Sequence, residues 1–152
     1  MKYYLSLLLI LFMMCSCSQY ESIRWFSTRE AAIQHGLTTE GISRDDIIGT
    51  LHKDGECFVI YKKKTLTGVA IGVVNIAEKD DKFTWYRSSN PAVVMDNDLR
   101  TVDVNWELTT LSNKTFTFYT GISHKSNVTI VTKNAPATPL INKENSIYYY
   151  IE

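Results

Sequence analysis

Hydrophobic residues alternate with polar residues from Ile48 to the end of the chain, and this period of two constrains the fold more than any other feature. Alternation places successive side chains on opposite faces of a β-strand, whereas an amphipathic helix repeats every 3.6 residues. About eight strands fit into this region. Residues 68–77, "GVAIGVVNIA", are apolar almost throughout, which is typical of a central strand covered on both faces.

Three further patterns in the strand-rich region predict particular elements. Asp54-Gly55 lies between two strand-like runs and predicts a tight hairpin turn. Pro91 predicts a loop over residues 88–100, since proline cannot donate a hydrogen bond to a neighbouring strand. The alternation in "TVDVNWELTT" gives an inward set, Val102, Val104, Trp106 and Leu108, and an outward set, Asp103, Asn105 and Glu107.

The segment before Ile48 carries the helical signal. In "FSTREAAIQHGL", Ser27 is a suitable N-cap, and Glu30, three positions later, completes a capping box. Gly36 predicts the end of this helix, and a shorter helical turn is expected over residues 43–47. The sequence therefore predicts an α+β domain, with one or two short helices followed by an antiparallel β-sheet or small sandwich.

An apolar stretch at the N-terminus precedes this domain. Residues 3–14, "YYLSLLLILFMM", are apolar apart from Ser6 and follow the positively charged Lys2. A stretch of about 12 residues matches the core of a signal peptide and is shorter than the roughly 20 residues of a membrane-spanning helix. The sequence thus predicts export from the cytoplasm.

The stretch ends in "MCSC", residues 14–17, which resembles a bacterial lipobox. In a lipobox, an aliphatic residue and a small residue precede a cysteine that is lipidated and becomes the new N-terminus. Ser16 is the small residue before Cys17, whereas a cut before Cys15 would place the bulky Met14 beside it. The resemblance identifies Cys17 as the lipidation site. The alternative is an ordinary signal peptide with both cysteines incidental.

Lipidation at Cys17 divides the chain into a signal peptide over residues 1–16, a short tether over residues 17–24 and a single α+β domain over residues 25–152. A diacylglycerol thioether would anchor the protein to the extracytoplasmic face of the cell membrane, because two acyl chains hold far more firmly than one. Cys57 would then be the only free thiol. Its apolar surroundings in "ECFVIY" predict a buried, unreactive side chain.

Charge and motif content exclude several functional classes. The 16 basic and 16 acidic residues give a net charge of zero, so a nucleic-acid partner is not expected. The sequence contains no phosphate-binding glycine loop and no nucleophile motif. We therefore expect no cofactor, and we predict no catalytic residue. The histidines, His35, His52 and His124, do not have the spacing of a metal site.

Two sets of side chains remain as candidates for a function. Tyr148, Tyr149 and Tyr150 are consecutive, so at least one faces away from its neighbours and is expected to be exposed. Tyr148 and Tyr150 are the predicted ligand-binding residues. Asp103 and Glu107 share a strand face and would act as an acid–base pair if burial raised one pKa.

"REAAIQHGLTTEGI" followed by "DDIIGTLHKDGECFVIY" resembles a recurrent opening of small lipoproteins from Gram-positive bacteria, over about residues 28–87. The resemblance supports a location in the cell envelope and carries no catalytic or ligand-binding residue. Together these observations predict a non-enzymatic lipoprotein that binds an envelope protein or a cell-wall ligand beside the membrane. An envelope hydrolase that uses Asp103, Glu107 or the histidines is the alternative.

The lipobox interpretation predicts different outcomes for the two neighbouring cysteines. In cells fed a clickable fatty acid, Cys17→Ser should abolish incorporation of the lipid and release the protein from the membrane fraction. Cys15→Ser is the matched control and should keep both, because it leaves the modified sulfur in place. Loss of labelling in Cys15→Ser with retention in Cys17→Ser would assign the anchor to the other cysteine.

Overall fold

The computed structural model describes residues 23–96, 102–125 and 127–152, which form one α-helix, one short 3₁₀ helix and eleven β-strands. The α-helix, α1, is Arg29–Glu40, and the 3₁₀ helix is Arg44–Asp46. The strands are β1 (Ile47–Lys53), β2 (Glu56–Thr65), β3 (Gly68–Lys79), β4 (Lys82–Arg87), β5 (Ala92–Asp96), β6 (Val104–Thr109), β7 (Thr115–Ile122), β8 (Ile130–Val131), β9 (Pro136–Ala137), β10 (Leu140–Asn142) and β11 (Ile147–Ile151). The expected α+β class with antiparallel strands is confirmed. The predicted signal peptide, the lipidation site and most of the tether lie outside the described residues.

The first sheet contains β1, β2, β3 and β4 in that order, with β5 also paired to β3. β3 is buried along most of its length, which confirms that it is a central strand covered on both faces. The β1–β2 hairpin turns at Asp54 and Gly55, whose φ angles of 49° and 81° give the left-handed conformation of the expected tight turn. Cys57, at the start of β2, is buried and free, as predicted.

Helix α1 packs on the outer face of the first sheet and differs from the sequence prediction at both ends. Its N-cap is Thr28 rather than Ser27, and the Thr28 hydroxyl accepts a hydrogen bond from the first turn of the helix at 3.1 Å. Gly36 does not end the helix, which continues to a left-handed C-cap at Gly41. A Cβ at Gly36 would lie 1.9 Å from the Trp85 ring, so this glycine allows close packing of helix on sheet.

An ion pair between a buried carboxylate, Glu40, and the half-exposed Arg87 holds the C-terminal end of α1, beyond Gly36. Glu40 is 4% exposed, and Arg87 donates to its Oε1 atom from Nε at 2.9 Å and from Nη2 at 2.7 Å. Lys63 of β2 donates to the Glu40 backbone carbonyl at 2.5 Å. The last turn of the helix is therefore fixed to β2 and β4 by charge-assisted hydrogen bonds.

The second sheet has the order β10-β11-β7-β6 and packs face to face with the first. The alternation predicted for β6 is confirmed from Val104 onward, with Leu108 fully buried and Asn105 exposed. Val102, which was expected to face inward, is 52% exposed because it lies before the strand begins.

The prediction of about eight strands is too low, and the three additional strands, β5, β9 and β10, all lie at prolines. Pro91 and Pro139 immediately precede β5 and β10, and Pro136 begins β9. Proline is tolerated at the first position or the unpaired edge of a strand, where its nitrogen is not needed as a donor. The predicted loop over residues 88–100 is therefore wrong where β5 forms.

The main core lies between the two sheets. The first sheet contributes Ile48, Phe58, Ile60, Ile71, Val73 and Val94, and the second contributes Leu108, Phe116, Phe118, Ile147, Tyr149 and Ile151. A second cluster joins α1 to the opposite face of the first sheet, where Ile33 packs with Val59, Tyr61, Ile76 and Trp85. The first sheet is thus covered by a helix on one face and by a sheet on the other.

A polar cluster, the polar latch, joins the two sheets where the β1–β2 and β6–β7 turns meet. It consists of the buried Glu56 and Asn75 and the exposed Ser112 and Lys114. Asn75, which is fully buried, donates to Glu56 Oε2 at 2.9 Å, and Ser112 donates to Glu56 Oε1 at 2.5 Å. Lys114 Nζ lies 3.5 Å from Glu56 Oε1 and donates to the Asp54 carbonyl at 2.7 Å. Because a buried carboxylate needs partners, the latch fixes the β6–β7 turn against the first sheet.

Asn75→Ala should lower the free energy of unfolding by about 2–3 kcal/mol, because it removes a donor from the buried Glu56 carboxylate. Urea denaturation of the purified chain would show this as a lower midpoint with an unchanged slope. Asn90→Ala, at an exposed asparagine, is the control and should change the free energy by less than about 0.5 kcal/mol. Equal effects of the two substitutions would show that the latch does not stabilise the fold.

Candidate functional site

A cleft of about 450 Å³ opens on the outer face of the second sheet. Its floor is formed by β7, β11 and the first residues of β6, together with Asp103 just before β6. Its opposite side, here called the cleft wall, consists of residues 123–125 and 127–131, which follow β7 and turn back over the sheet. The volume is within the range of small-molecule binding sites.

The floor of the cleft depends on a glycine between two polar side chains. Gly121 of β7 pairs with Tyr148 of β11. A Cβ at Gly121 would lie 2.2 Å from Asp103 Oδ1 and 2.7 Å from the Tyr148 hydroxyl oxygen, so the phenol and the carboxylate meet above the glycine. Burial, and then the hydrogen bond to Asp103 and its negative charge, raise the pKa of Tyr148. The Tyr148 hydroxyl therefore keeps its proton and orients the carboxylate.

The polar lining of the cleft comes from two separate parts of the chain. Asp103 and Asn105 lie at the start of β6, and Ser123, Lys125, Asn127 and Thr129 belong to the cleft wall. Within the described residues, the side chains of Asn105, Asn127 and Thr129 are exposed and form no hydrogen bond. The cleft thus presents amide and hydroxyl groups that are available to a ligand.

A carboxylate fixes the turn that follows the cleft wall. Glu152 accepts hydrogen bonds from the Thr132 hydroxyl at 2.7 Å and the Tyr119 hydroxyl at 3.0 Å. It also accepts from the backbone N–H groups of Lys133 at 3.2 Å and Asn134 at 3.1 Å. These donors, the Thr132 hydroxyl above all, lower the pKa of Glu152 from 4.5 to about 2. The turn between β8 and β9 is therefore tied to the end of β11.

The three consecutive tyrosines lie in different environments. Tyr148 is only 5% exposed, so it is not the exposed tyrosine that the sequence predicts. Its hydroxyl nevertheless reaches the cleft. Tyr149 faces the core between the sheets. Tyr150 is half-buried, lies outside the cleft lining and packs against Tyr119, with ring centroids 6.3 Å apart. Of the two tyrosines predicted to bind a ligand, the structure places Tyr148 at the cleft.

Asp103 and Glu107 both face outward, as predicted, but they are not close together. Four residues of extended chain separate them, which is about 13 Å. The paired carboxylates of glycosidases are roughly 5–10 Å apart. Asp103 lines the cleft, whereas Glu107 lies outside its lining and 3.6 Å from Lys133 in an exposed ion pair. The two carboxylates therefore do not form one acid–base pair.

The histidines are dispersed over three elements. His35 lies within α1, with its ring centroid 5.0 Å from that of Phe26, while His52 is exposed on β1 and His124 is exposed after β7. Within the described ranges, no three His, Cys, Asp or Glu side chains are grouped so that they would hold a metal ion. Nor do these ranges contain a helix long and apolar enough to cross a membrane.

Sequence reasoning identifies one side of the cleft and misses the other. The alternation in β6 places Asp103 and Asn105 on the outward face, where they line the cleft. Residues 127–130 of the cleft wall alternate between polar and apolar, which predicts extended chain but does not indicate which surface this segment packs against. The turn that follows the wall is fixed by hydrogen bonds from Thr132 and Asn134 to Glu152, which is distant in sequence, so the local alternation alone does not place Asn127 and Thr129 at the cleft.

The lowered pKa of Glu152 predicts a loss of stability in acid. Because the folded-state pKa of about 2 lies below the ordinary 4.5, the stabilisation is complete above pH 4.5 and disappears as the pH falls towards 2. Glu152→Gln should therefore melt at a lower temperature than wild type above pH 4.5, and the difference should shrink near pH 2. Glu144→Gln, at an exposed carboxylate, should behave as wild type. A difference that is constant across this pH range would contradict the assignment.

Comparisons with known proteins leave the cleft to be interpreted from its own geometry. No family model matches the chain, and neither the curated proteins nor the solved structures give a significant match. The resemblance of the N-terminal residues to lipoproteins therefore stays a prediction from the sequence.

Proposed function

We propose that this chain is a membrane-anchored extracytoplasmic lipoprotein that acts as a non-enzymatic binding module, with its ligand in the cleft. The observation that carries the proposal is the cleft of about 450 Å³, in which available amide and hydroxyl groups surround a floor built by Tyr148 and Asp103. A concave site with a small number of placed polar groups is typical of ligand binding.

The described N-terminal residues and the cleft lie on different layers of the domain. Phe26 forms a bridge with Phe83 of β4, with N–H···O distances of 2.8 Å in both directions. Its ring packs beside α1, on the outer face of the first sheet. The cleft lies on the outer face of the second sheet, and packed sheets are about 10 Å apart. A short tether from Cys17 would therefore hold the domain on the helix side and leave the cleft accessible.

The groups that line the cleft favour binding over hydrolysis. Asp103 is oriented by Tyr148 and not by a second carboxylate. Tyr148, with its raised pKa, keeps its proton at neutral pH and so does not act as a general base. Glu107, the other carboxylate of the hydrolase alternative, lies outside the cleft.

Site-specific photo-crosslinking in intact cells tests the proposal. A photoreactive amino acid at position 105, on the cleft floor, should form adducts with an envelope component when Cys17 is present. The same amino acid at Thr109 is the matched control, because Thr109 is exposed on the same strand but lies outside the cleft lining. It should not form these adducts.

Two results would contradict the proposal. Identical adducts from positions 105 and 109 would show that contact does not depend on the cleft. Adducts from position 105 that are unchanged in Cys17→Ser would show that binding does not require the membrane anchor.

A further inference from the structure

The charges that line the cleft favour a ligand without net charge. Asp103 supplies one carboxylate and Lys125 supplies one ammonium group, and the other described lining residues are uncharged. An anion such as phosphate is attracted by Lys125 but repelled by Asp103, and the reverse holds for a cation, so the two charges largely offset each other for an ion of either sign. A neutral ligand meets neither repulsion.

The uncharged polar groups of the cleft both donate and accept hydrogen bonds. Asn105 and Asn127 each offer a carbonyl oxygen and an NH₂ group, and Thr129 offers a hydroxyl, whereas the Asp103 carboxylate only accepts. A ligand that satisfies this mixture must carry several groups that donate and accept at once. Hydroxyl groups do both, and a saccharide carries one on most of its carbon atoms.

Apolar surface separates these polar groups. The Tyr119 and Tyr148 hydroxyls are engaged by Glu152 and Asp103, and both side chains are buried, so each contributes only a narrow ring edge to the cleft. Val128 adds aliphatic surface from the cleft wall. A sugar ring has an apolar C–H face and a polar rim, and so it matches this alternation of apolar and polar surface.

An extended peptide fits the site less well. Peptides bind sheets by adding a strand to a free edge. The cleft lies on the face of the second sheet and not at an edge, and the neighbouring edge of β6 is in part paired, since the Thr109 N–H donates to the Ser88 carbonyl at 3.4 Å. We propose that the ligand of the cleft is a neutral saccharide, an inference that rests on the proposed binding function.

Calorimetric titration of the full-length chain tests this proposal, with the protein held in a detergent that contains no sugar and with diacetylchitobiose and maltose as probes. We expect at least one of these disaccharides to bind. Asn105→Ala should weaken that binding about three- to tenfold, the effect of losing one neutral hydrogen bond. Thr109→Ala is the matched control and should leave the affinity unchanged. Circular dichroism would establish that both variants are folded.

Failure of both disaccharides to bind wild type, or equal effects of the two substitutions, would overturn the saccharide proposal. Alanylalanine, choline and inorganic phosphate are the competing probes. If one of them binds instead and is weakened by Asn105→Ala, the saccharide assignment fails while the cleft remains the binding site. If photo-crosslinking from position 105 also gives no specific adduct, the proposed function fails with it.

Discussion

β2 and β3 pair along eight residues each, and over residues 58–61 of β2 and 71–76 of β3 the side chains on both faces are removed from water. Ile60 and Val73 face the second sheet, whereas Tyr61 and Val74 face the helix. A strand pair that is apolar on both faces exposes hydrophobic surface unless it has a neighbour on each side. The helix, which precedes this strand pair in the sequence, covers one face, and the second sheet, which follows it, covers the other. The layers therefore have the order helix, first sheet, second sheet.

The cleft wall and the β8–β9 hairpin cover part of the outer face of the second sheet. This layer is thinner than the others, and the cleft results from this difference. Beneath the cleft wall, Tyr119, Ile130 and Tyr148 form only a small hydrophobic cluster. The hairpin of β8 and β9 is too short to cover the whole outer face of the second sheet. Hydrogen bonds to Glu152, rather than extensive apolar burial, keep this layer in place. A surface that is covered only in part leaves room for a ligand without cost to the main core.

The parts of the fold that sequence reasoning predicted are those set by local patterns. A continuous apolar run identifies β3, the period of two identifies most of β6, and Asp54-Gly55 identifies the first hairpin turn, because each signal is contained in adjacent residues. The sequence predicts a helix stop at Gly36, whereas the actual role of this glycine, its contact with the Trp85 ring, depends on tertiary packing that no local rule describes. The strands beside prolines were missed for a related reason, because only the pairing partner determines whether the proline nitrogen is needed as a donor. The cleft wall likewise depends on contacts between residues far apart in the sequence.

The glycine under the cleft also has a consequence for how the second sheet assembles. Tyr148 lies opposite Gly121, and a shift of one residue would place Thr120 or Ile122 beneath the phenol and would turn every side chain of β11 to the wrong face. In such a mispaired chain, Tyr148 would no longer contact Asp103 and Tyr149 would no longer be buried in the core. The cleft floor and the strand register are therefore linked, because only molecules with correctly aligned strands bring Tyr148 and Asp103 together above Gly121.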